Sequence, residues 1–457
     1  MKSIQEYIDA NEEKYKEELF ELLRIPSVST SSKNKGDVKK AAEFLVNQFE
    51  EIGLDKVTLH ETEGHPIVTA EKCPHDDRPT VLVYGHYDVQ PSDPDELWKT
   101  PPFEPTIKDG RVYARGSSDD KGQSFTHIKS VEAYMKTGTE LPVNVKFILE
   151  GEEEIGSPHL IPFINDHKDL LSCDMVLISD TAMFGEDQPS ITYGLRGLAY
   201  MEIKVTGPNR DLHSGVYGGG VENPANLLCE IIAKLKDEDG RIQIPGFYDD
   251  VEPLTEEQRT AIHELPFDEE AFKKNLELKE VHGEKGYNTH ERTTARPSLD
   301  VNGLWGGYQG EGAKTVLPGE AHAKVSMRLV PNQDPKKIAK LFKEYVESIV
   351  PDTVVVDVME HHGGHPVVID LDFYGLKAAA KAFEDVYEKE VLFSREGGSI
   401  PIVADFKKVL GVNSILMGFG LTKDALHSPN ESFSLKDFHR GIKTSARFFE
   451  VLPDFVE

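Results

Sequence analysis

The sequence predicts an α/β protein, a mostly parallel sheet flanked by helices, with a smaller α+β domain inserted into it. Two observations predict this. Four short apolar runs, TVLVYGH (80–86), VKFILEG (145–151), DMVLISD (174–180) and SILMGFG (414–420), have the character of strands buried on both faces. Between several of them lie helical patterns: SFTHIKSVEAYMKTG (124–138), FYGLKAAAKAFEDVYEK (373–389) and DFHRGIKTSARFFEVL (437–452). Strands alternating with helices indicate a sheet covered on both sides.

The N-terminal stretch is charged throughout. Its apolar residues Ile4, Tyr7, Ile8, Leu19, Leu22 and Leu23 suit amphipathic helices that end before Pro26. The middle of the chain has a different texture. GLAYMEIKVTG (197–207) alternates like a half-exposed strand, and a helix follows at about 224–237. Then come the strand PSLDVNGLW, the strand AHAKVSMRLVP, a helix over 335–349 and the strand TVVVDVM. These elements predict a mostly antiparallel sheet in a domain spanning 195–367. The outer domain is then discontinuous, 1–194 and 368–457. The charged, aromatic-bearing stretch at 245–298 reads as an elaboration of the insert.

A chain of 457 residues exceeds one small core, which fits two domains. Hydrophobic residues at 38% and charged residues at 29% are ordinary for a soluble globular protein. The formal net charge of -29 argues against nucleic acid and against an anionic membrane surface. Cys73, Cys173 and Cys229 are scattered, so neither a disulfide framework nor a thiolate metal site is expected. No signal peptide or bilayer-spanning segment is visible, and a reducing cytoplasm is the expected compartment.

Each buried run of the outer domain delivers polar residues at its end. TVLVYGHYD delivers His86 and Asp88, and VKFILEGEEE delivers four carboxylates in five positions, Glu150 to Glu154. VLISD delivers Asp180, and the loop LTKDALHSPNE after the last run carries His427. Open α/β sheets place their sites outside the carboxyl ends of the strands. On an extended segment His86 and Asp88 face the same way, so the histidine can bind a metal while the aspartate orients its ring. Taken alone, a His-x-Asp is ordinarily a polar strand end, Asp119 and Asp120 read as helix caps, and the glutamate cluster reads as a solvated acidic turn. The segment GSSDDKGQ lacks the spacing of a phosphate-binding loop.

The motifs GHYDVQP, WKTPPFEP, GRVYARGSSDDKG, EGEEEIGS, DLHSGVYGG, SMRLVP, REGGSIPI and ALHSPNE occur in this order. Together they closely resemble the M20 family of metallopeptidases, and within it the carnosinase-like, non-specific dipeptidase branch. The resemblance covers nearly the whole chain and implies a zinc-aminopeptidase-like catalytic domain with an inserted α+β lid and dimerisation domain. By motif match it implies two divalent ions per subunit, zinc ahead of manganese or cobalt. His86, Asp119 and Asp180 would hold one ion, and Asp119, Glu154 and His427 the other. A cis peptide is implied at Asp119–Asp120.

The implied reaction is hydrolysis of a dipeptide's peptide bond by a water bridging the ions. Glu153 is the implied general base, and Asp88 supports His86. Glu150 and Glu152 are left as solvated or supporting groups. Where Glu152 stands, the family pattern has a neutral residue, so a shift of one position among the glutamates is the alternative assignment. His213 in DLHSG would act across a homodimer interface, so the active species would be the pair. Arg328, Ser399 and Thr315 would bind the substrate's carboxylate, since a guanidinium matches a carboxylate with two parallel hydrogen bonds. The alternatives are an N-acyl amino acid deacylase or desuccinylase of the same family, and a non-enzymatic metal-binding dimer.

Overall fold

The computed structural model describes residues 2–398 and 400–456. The chain divides into two compact units: residues 1–193, 369–394 and 405–457 form the first, and 194–368 with 395–404 the second.

The centre of the first unit is four parallel strands. In spatial order they are Asn144–Glu150, Thr80–His86, Met175–Ile178 and Asn413–Leu416. Apart from Lys146 and the first residues of two strands, their side chains are buried, which is why the sequence shows nearly continuous apolar runs. Register brings their carboxyl ends level, with His86 opposite Glu150, Tyr84 opposite Ile178 and Leu416 opposite Ile178. Antiparallel strands extend the sheet on both sides. Ile67–Lys72 and Asp55–His60 add beyond Asn144–Glu150, and Ser190–Leu195 pairs with Asn413–Leu416. The sheet is thus mixed around a parallel core, and the fold is α/β as the apolar runs predict.

Helix Lys121–Thr137 is buried along nearly its whole length. It packs against helix Leu435–Val451, whose first turn is capped by Ser434 Oγ accepting the Asp437 N–H at 3.1 Å. Inside this layer His127 is fully buried between Ser179 Oγ (2.7 Å from Nε2) and Ser445 Oγ (2.8 Å from Nδ1). The Ser179 hydroxyl already donates to the Met417 carbonyl at 2.6 Å. His127 must therefore donate from Nε2, and in the neutral ring that burial favours Nδ1 is the acceptor. Burial pushes its pKa down to about 3.

The second unit is a four-stranded antiparallel sheet in the order Ser298–Gly306, Glu320–Leu329, Gly197–Thr206, Val355–Gly364. One face is covered by helices Pro224–Lys234 and Pro335–Ser348, giving a core of Leu227, Ile231, Val325, Met327, Ile338 and Phe342 among others. Both helices begin with proline behind a capping side chain, Asn223 and Asp334. The 245–298 stretch contributes three short helices, Glu256–Glu264, Glu269–Asn275 and Thr289–Thr294. The three cysteines are free thiols. Among the described residues, no helix is long and apolar enough to cross a membrane.

Candidate metal centre

His86 ends its strand only 1% exposed. Its Nδ1 lies 3.1 Å from the main-chain carbonyl of Asp88, so the ring proton sits there. Nε2 is left buried without a hydrogen bond. It lies 3.2 Å from Asp119 Oδ1 and 3.9 Å from Asp180 Oδ2. On the other side of Asp119, His427 Nε2 lies 3.0 Å from Oδ2 and 3.3 Å from Glu154 Oε2. Two groups result, His86–Asp119–Asp180 and Asp119–Glu154–His427, each with its donor atoms within 4.8 Å of one another. Asp119 belongs to both.

The capping reading of Asp119 and Asp120 does not hold. Asp120 occupies the N-cap position of helix Lys121–Thr137, yet its side chain makes no cap bond. Instead Oδ2 accepts the His86 N–H at 3.3 Å. The Asp119–Asp120 peptide is cis.

The glutamate cluster is not a solvated turn either. Glu150 and Glu152 are 1% and 4% exposed. Glu150 Oε1 accepts Tyr84 Oη–H at 2.7 Å and Ser157 Oγ–H at 2.8 Å, and burial pushes its pKa up to about 8. Glu152 turns away from the metal-ligand groups: Oε1 accepts the His65 N–H at 3.0 Å and Oε2 pairs with His159 Nδ1 at 2.8 Å. Solvation was expected because the segment is highly charged, but it follows a central strand and is folded back under the loop at 62–66. Glu154 supplies a donor atom to the second group, and Gln90 Nε2 donates to its Oε2 at 2.7 Å. Asp88 lies beside the His86 ring, its carboxylate 3.4 Å from Nδ1. The carbonyl of Asp88 takes the imidazole proton, while its carboxylate receives the N–H groups of Glu153 and Glu154 at 3.2 and 3.1 Å.

Crowding shows in the electrostatics. Burial, reinforced by the charges of Glu154, Asp119 and Asp88, pushes Glu153 up to about 7. Burial and the Asp119 charge raise Asp180 well above the carboxylate range. For Asp119 burial acts upward, but His427 and His86 outweigh it and hold the carboxyl below its ordinary range. Contacts with Asp119 and then Glu154 lift His427 to about 10. Mixed imidazole and carboxylate donors, an orphaned Nε2 and mutually repelling carboxylates fit hard-to-borderline divalent cations. Gln90 and the buried Glu431 and Asp424 were not singled out from the sequence. GHYDVQP contains Gln90, and the loop LTKDALHSPNE contains Asp424 and Glu431.

In the second unit, His213 pairs with Val316 across a short ladder, and the Ser214 N–H donates to the Thr315 carbonyl at 3.2 Å. His213 and Thr315 are therefore neighbours, both exposed. Nδ1 of His213 accepts the Gly215 N–H at 3.0 Å, which leaves Nε2 as the outward donor. Arg328 alternates with the fully buried Val325, Met327 and Leu329, so it points to the uncovered face of the sheet. Ser399 lies outside the described residues.

A sheet that gathers two such groups beyond its parallel strand ends defines a metal-dependent hydrolase. Residues 82–451 match the model of peptidase family M20/M25/M40, and the chain belongs to that family. It is 35% identical to the Cys-Gly metallodipeptidase dug1 of Schizosaccharomyces pombe, over 96% of this chain and 95% of that one. The crystal structure of human carnosine dipeptidase 1 superposes with a TM-score of 0.85 at 30% identity, covering 99% of this chain and 98% of that one. A metallo-carboxypeptidase of the M20 family, Sso-CP2 from Sulfolobus solfataricus, superposes with a TM-score of 0.86 at 35% identity, covering 95% and 98%.

Proposed function

We propose that this chain is a two-metal dipeptidase. The carrying observation is the sharing of Asp119 between the two groups of candidate ligands. His86, Asp119 and Asp180 would hold one ion, and Asp119, Glu154 and His427 the second, with zinc ahead of manganese or cobalt for this donor set. When bound, the ions polarise the peptide carbonyl and make a water acidic enough to lose its proton near neutral pH.

Glu153 takes that proton on a carboxylate oxygen and returns it to the departing amine nitrogen. Asp88 holds the turn bearing Glu153 by two main-chain hydrogen bonds, so the base is set by a buried group rather than by a mobile loop. Arg328 binds the free carboxylate of the substrate through its guanidinium, with Ser399 and Thr315 as hydroxyl donors. His213 donates from Nε2 to the developing oxyanion in the partner subunit's site, which makes the homodimer the active species. The outer domain (1–194 and 368–457) carries the metals, and the insert (195–367) serves as lid and dimerisation domain. The scattered free cysteines suit a cytoplasmic setting.

The relatives named as a Cys-Gly metallodipeptidase and a carnosine dipeptidase support a dipeptide substrate. The similarity to a carboxypeptidase makes longer peptides the comparison that matters. The test is a substrate panel on the purified, metal-reconstituted chain: Cys-Gly, β-Ala-His, longer peptides, and N-acetyl and N-succinyl amino acids. Turnover confined to dipeptides, lost on chelation and restored by Zn²⁺, Mn²⁺ or Co²⁺, is the expected result. Preference for N-acyl amino acids or for long peptides would replace this reading.

A further inference from the structure

The loop carrying Asp119 and the loop carrying His427 are far apart in sequence, yet buried carboxylates join them. Glu431 is fully buried. Its Oε1 accepts the Ser118 N–H at 2.9 Å and the Asp119 N–H at 3.1 Å. Its Oε2 accepts the Gly116 N–H at 2.9 Å and Arg115 Nη1–H at 2.9 Å. Arg115 passes the connection on: Nη2 donates to the Pro91 carbonyl at 3.0 Å, next to Gln90, which holds Glu154. Asp424, also fully buried, accepts Ser118 Oγ–H at 2.9 Å and the Leu421 N–H at 2.8 Å, and pairs with Arg111.

Between these two anchors the chain makes an exposed arch. Ala425, His427 and Asn430 adopt φ values of +60°, +57° and +67°. Non-glycine residues disfavour that region, so the arch does not hold its shape by local preference. Within the arch, Asn430 accepts the Lys99 N–H at 2.7 Å and donates to the Leu97 carbonyl at 2.9 Å, but these contacts are exposed and the His427 side chain is 58% exposed. The wholly buried fixed points are the anchors at either end, Asp424 and Glu431.

We propose that Glu431 and Asp424 are positioning residues that pre-form the Asp119–Glu154–His427 group before metal arrives. Glu431 fixes the backbone of the shared ligand Asp119 and, through Arg115, the support of Glu154. Asp424 fixes the near end of the His427 arch. Replacing Glu431 by Gln turns one acceptor into a donor facing N–H groups, while Asp424→Asn sets an amide NH2 either against Ser118 Oγ–H and the Leu421 N–H, which share Oδ2, or against Arg111 at Oδ1. This inference rests on the two-ion reading above.

The test is Co²⁺ titration of the metal-free full chain, followed by absorbance and calorimetry, with urea denaturation of each metal-free variant alongside. Wild type is expected to bind two Co²⁺. Glu431→Gln should weaken both ions by about 10–100-fold, because Asp119 is shared. Asp424→Asn should weaken one ion about tenfold and leave the other near wild type. Folded variants that bind two Co²⁺ with wild-type dissociation constants and spectrum would overturn the proposal, whatever their stability. Should Glu431→Gln not fold, the one-ion loss in Asp424→Asn decides the matter alone. A wild-type chain binding fewer than two Co²⁺ would bring down the two-ion reading and this inference with it.

Discussion

Asp88 grips the turn that carries Glu153. Its Oδ1 accepts the Glu153 N–H at 3.2 Å and its Oδ2 the Glu154 N–H at 3.1 Å. The same carboxylate lies 3.4 Å from Nδ1 of His86. One wholly buried side chain thus sets the strand end at His86 against the turn of the glutamates.

Asp88→Asn leaves one carbonyl oxygen for two N–H donors. Metal affinity should fall by about 10–100-fold, with kcat falling alongside. Co²⁺ titration paired with steady-state kinetics checks this. Wild-type affinity and turnover would mean the turn is held by other contacts.

Glu153→Gln removes the proton acceptor and keeps the shape. Elemental analysis should still find two metals per chain, while kcat drops by roughly 10²–10⁴-fold. If instead Glu153→Gln sheds metal and Glu154→Gln retains it, the two glutamates exchange roles.

Arg328→Met should raise KM for a dipeptide by roughly 10²-fold, the loss of about 2–3 kcal/mol from a charge-assisted pair. A C-terminally amidated dipeptide, which lacks the carboxylate, should bind wild type and variant alike. Equal losses on both substrates would remove Arg328 from carboxylate recognition.

His127 gives a pH dependence of stability. Its folded pKa of about 3 lies below the unfolded value, so between the two the unfolded chain binds the extra proton. The contribution is complete above the unfolded pKa and is lost as pH falls toward the folded one. Between about pH 7.5 and about pH 5 the loss should be about 2 kcal/mol, taking an unfolded pKa of about 6.5. Urea denaturation of wild type and His127→Gln at both pH values should show the stability gap between them shrinking by that amount on acidification. A constant gap would mean that the ring is protonated in place.

Continuous apolar runs made the parallel strands readable, because a strand buried on both faces has no polar alternation. The outlying strands Asp55–His60 and Ile67–Lys72 do not stand out in the sequence: DKVTLH and IVTAEK break their apolar residues with charged and polar ones, and the outer strand has no buried residue. That His86, the glutamate cluster, Asp180 and His427 lie toward one edge was legible from the strand ends, whereas Asp119, and Glu154 among its neighbours, were implied only by the family resemblance. The fates of Glu150 and Glu152 were not legible, because four glutamates in five positions look alike until their neighbours are known. His65, His159, Tyr84 and Ser157 are those neighbours, and all four lie outside the acidic run.

What the sequence determined by itself was the fold class, the side-chain types at each strand end and the family they resemble. All of these follow from local periodicity and short-range spelling. Tertiary structure alone decided that Asp88 serves the glutamate turn and that Asp120 turns to His86. It alone decided that Glu431 reaches the backbone of Asp119. Such choices depend on which buried donor is left without a partner, and that is set by contacts between segments up to 312 residues apart.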